Sequence, residues 1–153
     1  MRRLTLAIEE EKCWGCKTCE VACKQEHQAT SGVKLIRIGE DGPRQVDARW
    51  HFIFRATRCL HCDEPACVDA CSVSAIIKRE DGIVVLNRDD CVGCRACIDA
   101  CPFDAIDFDD DAEVAVKCNL CHHRIDAGLL PACADNVCLA HCIHLIEGDG
   151  ADA

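Results

Sequence analysis

The sequence lacks the aromatic residues and the long apolar runs that a conventional core or a membrane span requires. Of its 153 residues none is Tyr, one is Met, and only 4% are aromatic. The longest aliphatic stretch lies around Ile83 to Leu86, far below the roughly 20 residues that cross a bilayer. We therefore predict no membrane span and a core that depends on something besides hydrophobic packing.

The chain also lacks a basic character and an export signal. Its 17 Lys and Arg stand against 27 Asp and Glu, which gives a net charge of −10 and argues against nucleic acid as a partner. Met1-Arg2-Arg3 is followed by the acidic Glu9 and Glu10 rather than by an apolar export segment, so the predicted location is the cytoplasm. In that reducing compartment cysteines stay available as metal ligands.

Cysteine is the abundant residue, at 17 of 153 positions, a share above the roughly 8–10% at which cysteine dictates the scaffold. Groups one and three repeat the C-x2-C-x2-C-x3-C spacing of ferredoxins, and group two has a longer middle loop. Group four starts with C-x2-C and resumes after eleven residues. The members are Cys13, Cys16, Cys19 and Cys23 in group one; Cys59, Cys62, Cys67 and Cys71 in group two; Cys91, Cys94, Cys97 and Cys101 in group three; and Cys118, Cys121, Cys133, Cys138 and Cys142 in group four.

This spacing predicts [4Fe–4S] clusters. A C-x2-C loop turns two thiolates inward, while the third and fourth cysteines of a group lie about 6 Å apart along a helix axis. The fourth cysteine can therefore reach a second cluster, as it does in two-cluster ferredoxins. Zinc is the alternative, but three compact four-cysteine runs fit poorly with the widely separated pairs of most zinc sites.

Repeated patterns around the cysteines predict small sheets and short helices. Residues 67–76 align with residues 97–106 as a cluster loop, a short helix and a strand. Alternation over 33–38 and 49–54 around Asp41-Gly42-Pro43 predicts a hairpin between groups one and two. Short β-prone runs precede the first cysteines of groups one, three and four; they are residues 4–8, 83–86 and 113–117.

Several histidines lie near the cysteines, yet none is expected to ligate iron. Four clusters offer about 16 ligand positions, and the 17 cysteines fill them without a vacancy. We expect these side chains to be solvated or to donate an N–H toward a cluster. They are His61, His122, His123, His141 and His144.

With these motifs the whole chain resembles the four-cluster, ferredoxin-like electron-transfer subunits of molybdenum or tungsten pterin oxidoreductases. Formate dehydrogenase, dimethyl sulfoxide reductase and nitrate reductase have such subunits, and the small subunit of a tungsten aldehyde oxidoreductase is a further match of this type. The resemblance rests on the segments Cys13-Trp-Gly-Cys-Lys-Thr-Cys19, Cys59-Leu-His-Cys-Asp-Glu-Pro-Ala-Cys67, Cys91-Val-Gly-Cys-Arg-Ala-Cys97 and Lys117-Cys118-Asn-Leu-Cys121.

The resemblance implies an α+β fold of tandem bacterial-ferredoxin-like units. Residues 1–58 with 110–153 would form one lobe, and residues 59–109 a second, inserted lobe. The implied ligand sets are Cys13, Cys16 and Cys19 with a late cysteine; Cys59, Cys62, Cys67 and Cys101; Cys91, Cys94, Cys97 and Cys71; and Cys118, Cys121, Cys133 and Cys23. We expect Cys138 to be the late cysteine and Cys142 the spare thiol; the alternative uses Cys138 and Cys142 as ligands and leaves Cys133 free.

The resemblance also implies that the chain has no catalysis of its own. It would relay electrons through four [4Fe–4S] clusters between a large tungsten- or molybdenum-pterin catalytic subunit and an external acceptor. That acceptor could be a flavin or NAD subunit, a ferredoxin, or further copies of the chain. Two alternatives stay open: a free-standing polyferredoxin shuttle, and a maturation or scaffold protein that holds clusters for delivery.

Overall fold

The computed structural model describes residues 3–148. They form four separate two-stranded sheets, which are connected by loops and short helices. This architecture confirms the predicted α+β, ferredoxin-like fold. Over the same residues no helix is long and apolar enough to cross a membrane. The strands are β1 (Arg3–Ile8), β2 (Ile36–Val46), β3 (Arg49–Arg58), β4 (Ile76–Lys78), β5 (Val84–Leu86), β6 (Ile106–Asp109), β7 (Val114–Lys117) and β8 (Ile143–Gly148). The α-helices are α1 (Thr18–Glu26), α2 (Ala66–Asp69), α3 (Ala96–Ala100) and α4 (His122–Asp126), and a 3-10 turn spans Glu10–Lys12.

The sheets join the cysteine groups to one another. Strand β1, before group one, pairs antiparallel with β8, after group four, and Leu6 lies opposite Leu145. Hairpin β4–β5 lies between groups two and three, and hairpin β6–β7 between groups three and four. The β-prone runs expected before three of the groups are therefore strands, and each delivers the chain to its first cysteine.

The predicted hairpin between groups one and two is present as β2 and β3, but its turn is not where the sequence suggested. The chain reverses at Asp47 and Ala48, whose φ angles of 49° and 62° suit a tight hairpin turn. Asp41-Gly42-Pro43 instead falls at a shift in the strand register between Asp41 and Arg44. Because Pro43 has no N–H to give to the ladder, it interrupts the pairing rather than ending the strand.

Cysteines make up much of the core, as the composition required. The larger buried cluster joins aliphatic residues such as Leu6, Ile36 and Leu120 to six buried cysteines of groups one and four. A smaller cluster surrounds Ile76 and Ile106 with cysteines of groups two and three packed against it. The division resembles the two predicted lobes, whose boundaries stay a prediction.

Candidate metal centres

Each cysteine group begins with a loop of the same shape. The residue just before the second cysteine has a left-handed backbone in all four groups, with φ between 51° and 69°. Groups one and three place glycine there, whereas groups two and four place His61 and Leu120, which are buried. The four residues are Gly15, His61, Gly93 and Leu120. A left-handed residue at this place turns the backbone sharply between the two cysteines.

Glycine is required in group three because of the space as well as the backbone angle. A Cβ at Gly93 would lie 2.4 Å from the carbonyl oxygen of Glu113, far closer than carbon and oxygen can approach. At Gly15 the obstacle is the ring of Phe54, 2.2 Å away. Both loops therefore pack closely against a neighbouring segment, the first against β3 and the second against the residue that precedes β7.

The loops also turn backbone N–H groups toward sulfur. In three groups the amide two residues after the first cysteine approaches that cysteine's Sγ at 3.4 to 3.5 Å. These contacts join Gly15 to Cys13, His61 to Cys59 and Leu120 to Cys118. N–H donors directed at sulfur stabilise a thiolate and are a means by which proteins tune iron–sulfur clusters.

The thiols of groups two and three interleave in space. Burial raises the pKa of Cys67 to about 11, and among its neighbouring thiols is Cys101 of group three. Burial likewise raises the pKa of Cys97, and there the contributing neighbours include Cys71 of group two. Each collection therefore takes its fourth thiol from the other group. We name them set two, with Cys59, Cys62, Cys67 and Cys101, and set three, with Cys91, Cys94, Cys97 and Cys71.

The start of group four forms a further collection with the last cysteine of group one. Burial raises the pKa of Cys23 well above its ordinary value, and repulsion from Cys118, Cys133 and Cys121 raises it further. Helix α1 carries Cys23 into this neighbourhood. We name the collection set four; its members are Cys118, Cys121, Cys133 and Cys23, all buried.

The first three cysteines of group one meet the segment that begins at Cys138. Burial raises the pKa of Cys19 to about 11, and the nearby thiols that add to it are Cys138 and Cys13. The hydroxyl and backbone of Thr18 lower the pKa of the second cysteine, Cys16, and the backbone of the nearby Leu139 lowers it further. We name this collection set one; its members are Cys13, Cys16, Cys19 and Cys138.

Cys142 is also close to set one. Its Sγ lies 3.5 Å from that of Cys138, and it is almost fully buried. Burial raises the pKa of Cys142 to about 12, and contacts with Cys138 and Cys13 raise it further. Proximity alone therefore does not separate Cys138 from Cys142 as the fourth member of the set.

A backbone pattern that recurs after the last cysteine of groups two and three distinguishes Cys138 from Cys142. Three residues after Cys71, Cys101 and Cys138 the backbone is left-handed, with φ of 55°, 50° and 48°. At each of these places the N–H of the left-handed residue bonds back to the cysteine carbonyl. The strand then begins five residues after the cysteine, as β4, β6 or β8. Cys138 thus occupies the position of the last cysteine of groups two and three, and Cys142 occupies the position of the buried alanines Ala75 and Ala105.

Three polar residues near the thiols were not singled out from the sequence. His27 Nε2 lies 3.3 Å from Cys121 Sγ. His27 caps the C-terminus of α1, and its spacing of four residues from Cys23 is a signal that could have indicated it. Arg58 and Lys117 each directly precede the first cysteine of a group, and Lys117 is buried. A cation in the same place before groups two and four was the available signal for both.

These surroundings fit an anionic, sulfur-rich cofactor. Most of the thiols lie in sets of four, burial raises the pKa of many of them, and N–H groups are directed at them. Two buried donors, Arg58 Nε and His61 Nε2, have no hydrogen-bond partner among residues 3–148. In that part of the chain no three or more metal-binding side chains close around a single ion. The sets of four thiols and the N–H groups directed at them suit a cluster bound by four thiolates.

Comparison with known families supports the same cofactor. Two family models, both described as a 4Fe-4S dicluster domain, match residues 50–147 and 12–76. Together they cover all four cysteine groups. The [4Fe–4S] cofactor predicted from the cysteine spacing is thereby confirmed.

The chain is also similar to named components of reductases. It is 39% identical over 139 residues to a subunit of tetrathionate reductase from Salmonella typhimurium, a match that covers 88% of this chain and 54% of that protein. It is 36% identical to a component of anaerobic dimethyl sulfoxide reductase from Haemophilus influenzae, over 88% of this chain and 70% of the relative. Thiosulfate reductase electron transfer subunit PhsB of Salmonella typhi is 37% identical, over 85% and 68%. The chain thus spans about half to two thirds of the length of these relatives, and it belongs to the 4Fe-4S dicluster family of iron–sulfur proteins.

Proposed function

We propose that this chain is the electron-transfer subunit of a larger oxidoreductase. It would relay electrons through four [4Fe–4S] clusters between a catalytic subunit with a tungsten or molybdenum pterin and an external carrier or flavin subunit. The observation that carries this proposal is that the thiols form four sets, each pooled from two segments of the chain. When bound, each cluster supplies a one-electron couple.

In this proposal the four sets are the ligand sets, and Cys142 is the spare thiol. The equivalence of Cys138 with Cys71 and Cys101 supports its choice as the fourth ligand of set one. The thiols that act most strongly on Cys133 are Cys118 and Cys121, with Cys19 after them, which supports its place in set four. A free Cys133 would leave set four with three thiols.

The contacts between sets support a linear order of one, four, two and three. Helix α1 carries Cys19 of set one and Cys23 of set four, one helical turn apart. Cys59 of set two is the thiol that acts most strongly on Cys118 of set four. Helix α3 then carries Cys97 of set three and is followed at once by Cys101 of set two. Each neighbouring pair is therefore joined by one short piece of backbone or by direct proximity.

The sets at the two ends of this order, one and three, each include a thiol that is exposed to solvent. Cys16 of set one and Cys94 of set three are exposed, whereas every thiol of set four is buried. Exposed thiols at both ends and a fully buried set four between them suit a relay that receives an electron at one surface and delivers it at another. A free store of clusters for delivery would have no need of this arrangement.

The net charge and the exposed apolar side chains favour a subunit of a complex over a free-standing polyferredoxin shuttle. Four clusters with thiolate ligands add about −2 each and would bring the net charge from −10 to about −18. Such a surface repels acidic partners unless basic patches or apolar contacts offset the charge. Trp14, which is 66% exposed in the first cluster loop, is an apolar contact of the required kind.

Anaerobic purification with the native partner tests the proposal. We expect a large chain that contains tungsten or molybdenum to copurify, and one terminal set of the complex to lie within tunnelling distance of a redox centre in that chain. We place the complex in the cytoplasm because a reducing compartment keeps so many cysteines out of disulfides and available as ligands. A chain that purifies alone and passes its clusters to an acceptor apoprotein would favour the scaffold alternative.

A further inference from the structure

Three polar side chains lie at the junction between set two and set four: Arg58, His61 and Lys117. We call them the polar junction. Burial raises the pKa of Cys118 to about 12, and the nearby Cys59 thiol is the next contributor, so the two sets meet here. Arg58 and Lys117 directly precede Cys59 and Cys118 in the sequence.

Lys117 brings a positive charge into the interior between the sets. Its side chain is 5% exposed, and its Nζ donates to the carbonyl oxygens of Val84 at 2.5 Å and Cys118 at 2.8 Å. Burial raises the pKa values of Cys67 and Cys118, and the charge of Lys117 opposes that rise at both thiols. Its field therefore reaches one thiol of each set.

Arg58 adds a second positive charge, which shares Cys118 with Lys117 and also lies near Cys59. Its Nη2 donates to the carbonyl oxygen of Leu6 at 2.8 Å, while its buried Nε has no partner among residues 3–148. Burial lowers the pKa of Arg58, and Cys118, Glu10 and Cys59 raise it in return. Like Lys117, it interacts with thiols of both sets.

His61 contributes a fixed N–H donor. Its ring is fully buried, and its Nδ1 accepts the N–H of Val84 at 3.0 Å, so the proton of the neutral ring is on Nε2. Burial, and after it the charge of Lys117, lowers the pKa of His61 to about 3, which keeps the ring neutral. Its Nε2–H is buried without a partner in the described part of the chain.

A buried cation or an unpaired buried N–H is costly unless an anion receives it. In the polar junction the hydrogen bonds of Lys117 and Arg58 go to carbonyl oxygens over residues 3–148, not to carboxylates. The thiolates of sets two and four are anions close at hand, and Glu10 is a further anion near Arg58. These charges act through the interior rather than through water, so they interact strongly.

We propose that Arg58, His61 and Lys117 hold the reduction potentials of the two inner clusters above the values those clusters would have without them. Reduction adds one negative charge to a cluster. The buried Lys117, the half-buried Arg58 and the N–H donor of His61 stabilise that charge. An electron is thereby more stable on the two inner clusters than it would be without these residues. The three side chains act on a cluster of each lobe. This inference rests on the ligand sets proposed above, and its test uses a different readout.

The test is a redox titration of the anaerobically loaded full chain, followed by electron paramagnetic resonance. In Lys117→Met we expect reduction of two of the four clusters to become about tenfold less favourable, a shift of about 59 mV for one electron. Lys117→Arg keeps the charge and should restore the potentials. Lys12→Met is the matched control: Lys12 also directly precedes the first cysteine of a group, but its side chain is 61% exposed, so water and salt screen its charge.

Two results would overturn the inference. One is a fully loaded Lys117→Met chain in which all four potentials are unchanged; the other is a shift of equal size in all four. If the Lys117→Met chain binds less iron than the unaltered chain, the iron content of Lys117→Arg shows whether the charge or the packing of Lys117 is responsible. Iron that is bound by the Arg variant but lost from the Met variant shows that the clusters require the charge, whereas loss from both shows a packing role and contradicts the inference. An iron count below four clusters in the unaltered chain would instead count against the ligand sets themselves.

Discussion

The choice between Cys138 and Cys142 is the sharpest prediction about the ligands. Cys142→Ala places alanine where the two equivalent positions already have Ala75 and Ala105. It removes one buried sulfur atom and keeps the Cβ, so we expect a cost of about 1 kcal/mol in folding free energy, as for the loss of one buried methyl group. The cluster content should be unchanged.

Cys138→Ala is the matched variant four residues away. It also removes one buried sulfur, yet we expect it to lose about four of about 16 irons, because set one would keep only three thiols. Iron and acid-labile sulfide per chain, measured after anaerobic reconstitution, separate the two outcomes. Full loading of Cys138→Ala together with loss of a cluster from Cys142→Ala would refute the argument from the repeat. Full loading of Cys133→Ala would support the alternative in which Cys133 is free.

Two further predictions concern the elements that shape the loops. The Gly93→Ala chain should lose the set-three cluster, or that cluster should become markedly less stable to heat, because the added Cβ meets a backbone oxygen at 2.4 Å. Gly32→Ala is the control for backbone strain alone, since Gly32 has a φ of 88° and no atom within 4 Å of an added Cβ. Glu20→Ala should lower the free energy of unfolding by about 2 kcal/mol, since the buried carboxylate accepts the Ile38 N–H at 2.6 Å and joins α1 to β2. Glu20→Gln keeps an acceptor and should cost less; equal losses from both variants would show that the hydrogen bond to Ile38 is not what matters. Cluster absorption followed during anaerobic heating measures each change.

The sequence predicted the features that depend on local spacing. The cysteine intervals indicated the cofactor, and the β-prone runs before groups one, three and four became β1, β5 and β7 because they are short and apolar. The spacing indicated that a fourth cysteine reaches a second cluster, but which groups pair came from the family resemblance, since no local pattern tells a fourth cysteine which partner it meets. The ligand assignments themselves stay a prediction.

Other features depend on contacts that the sequence does not display. The turn at Asp47 and Ala48 lacks glycine and proline, so the stronger turn signal at Asp41-Gly42-Pro43 drew the prediction to the wrong place. His61 and Leu120 adopt left-handed angles that usually indicate glycine. Lys117 ends a strand whose residues are all buried, and its burial arises because groups two and four meet in space.

The most direct test of the account is the metal content of the unaltered full chain prepared without oxygen. Four ligand sets predict about 16 iron and 16 sulfide per chain, with four one-electron steps in a redox titration. Stoichiometric zinc, or only about eight irons after full reconstitution, would contradict the central claim that the 17 cysteines form four cluster sites.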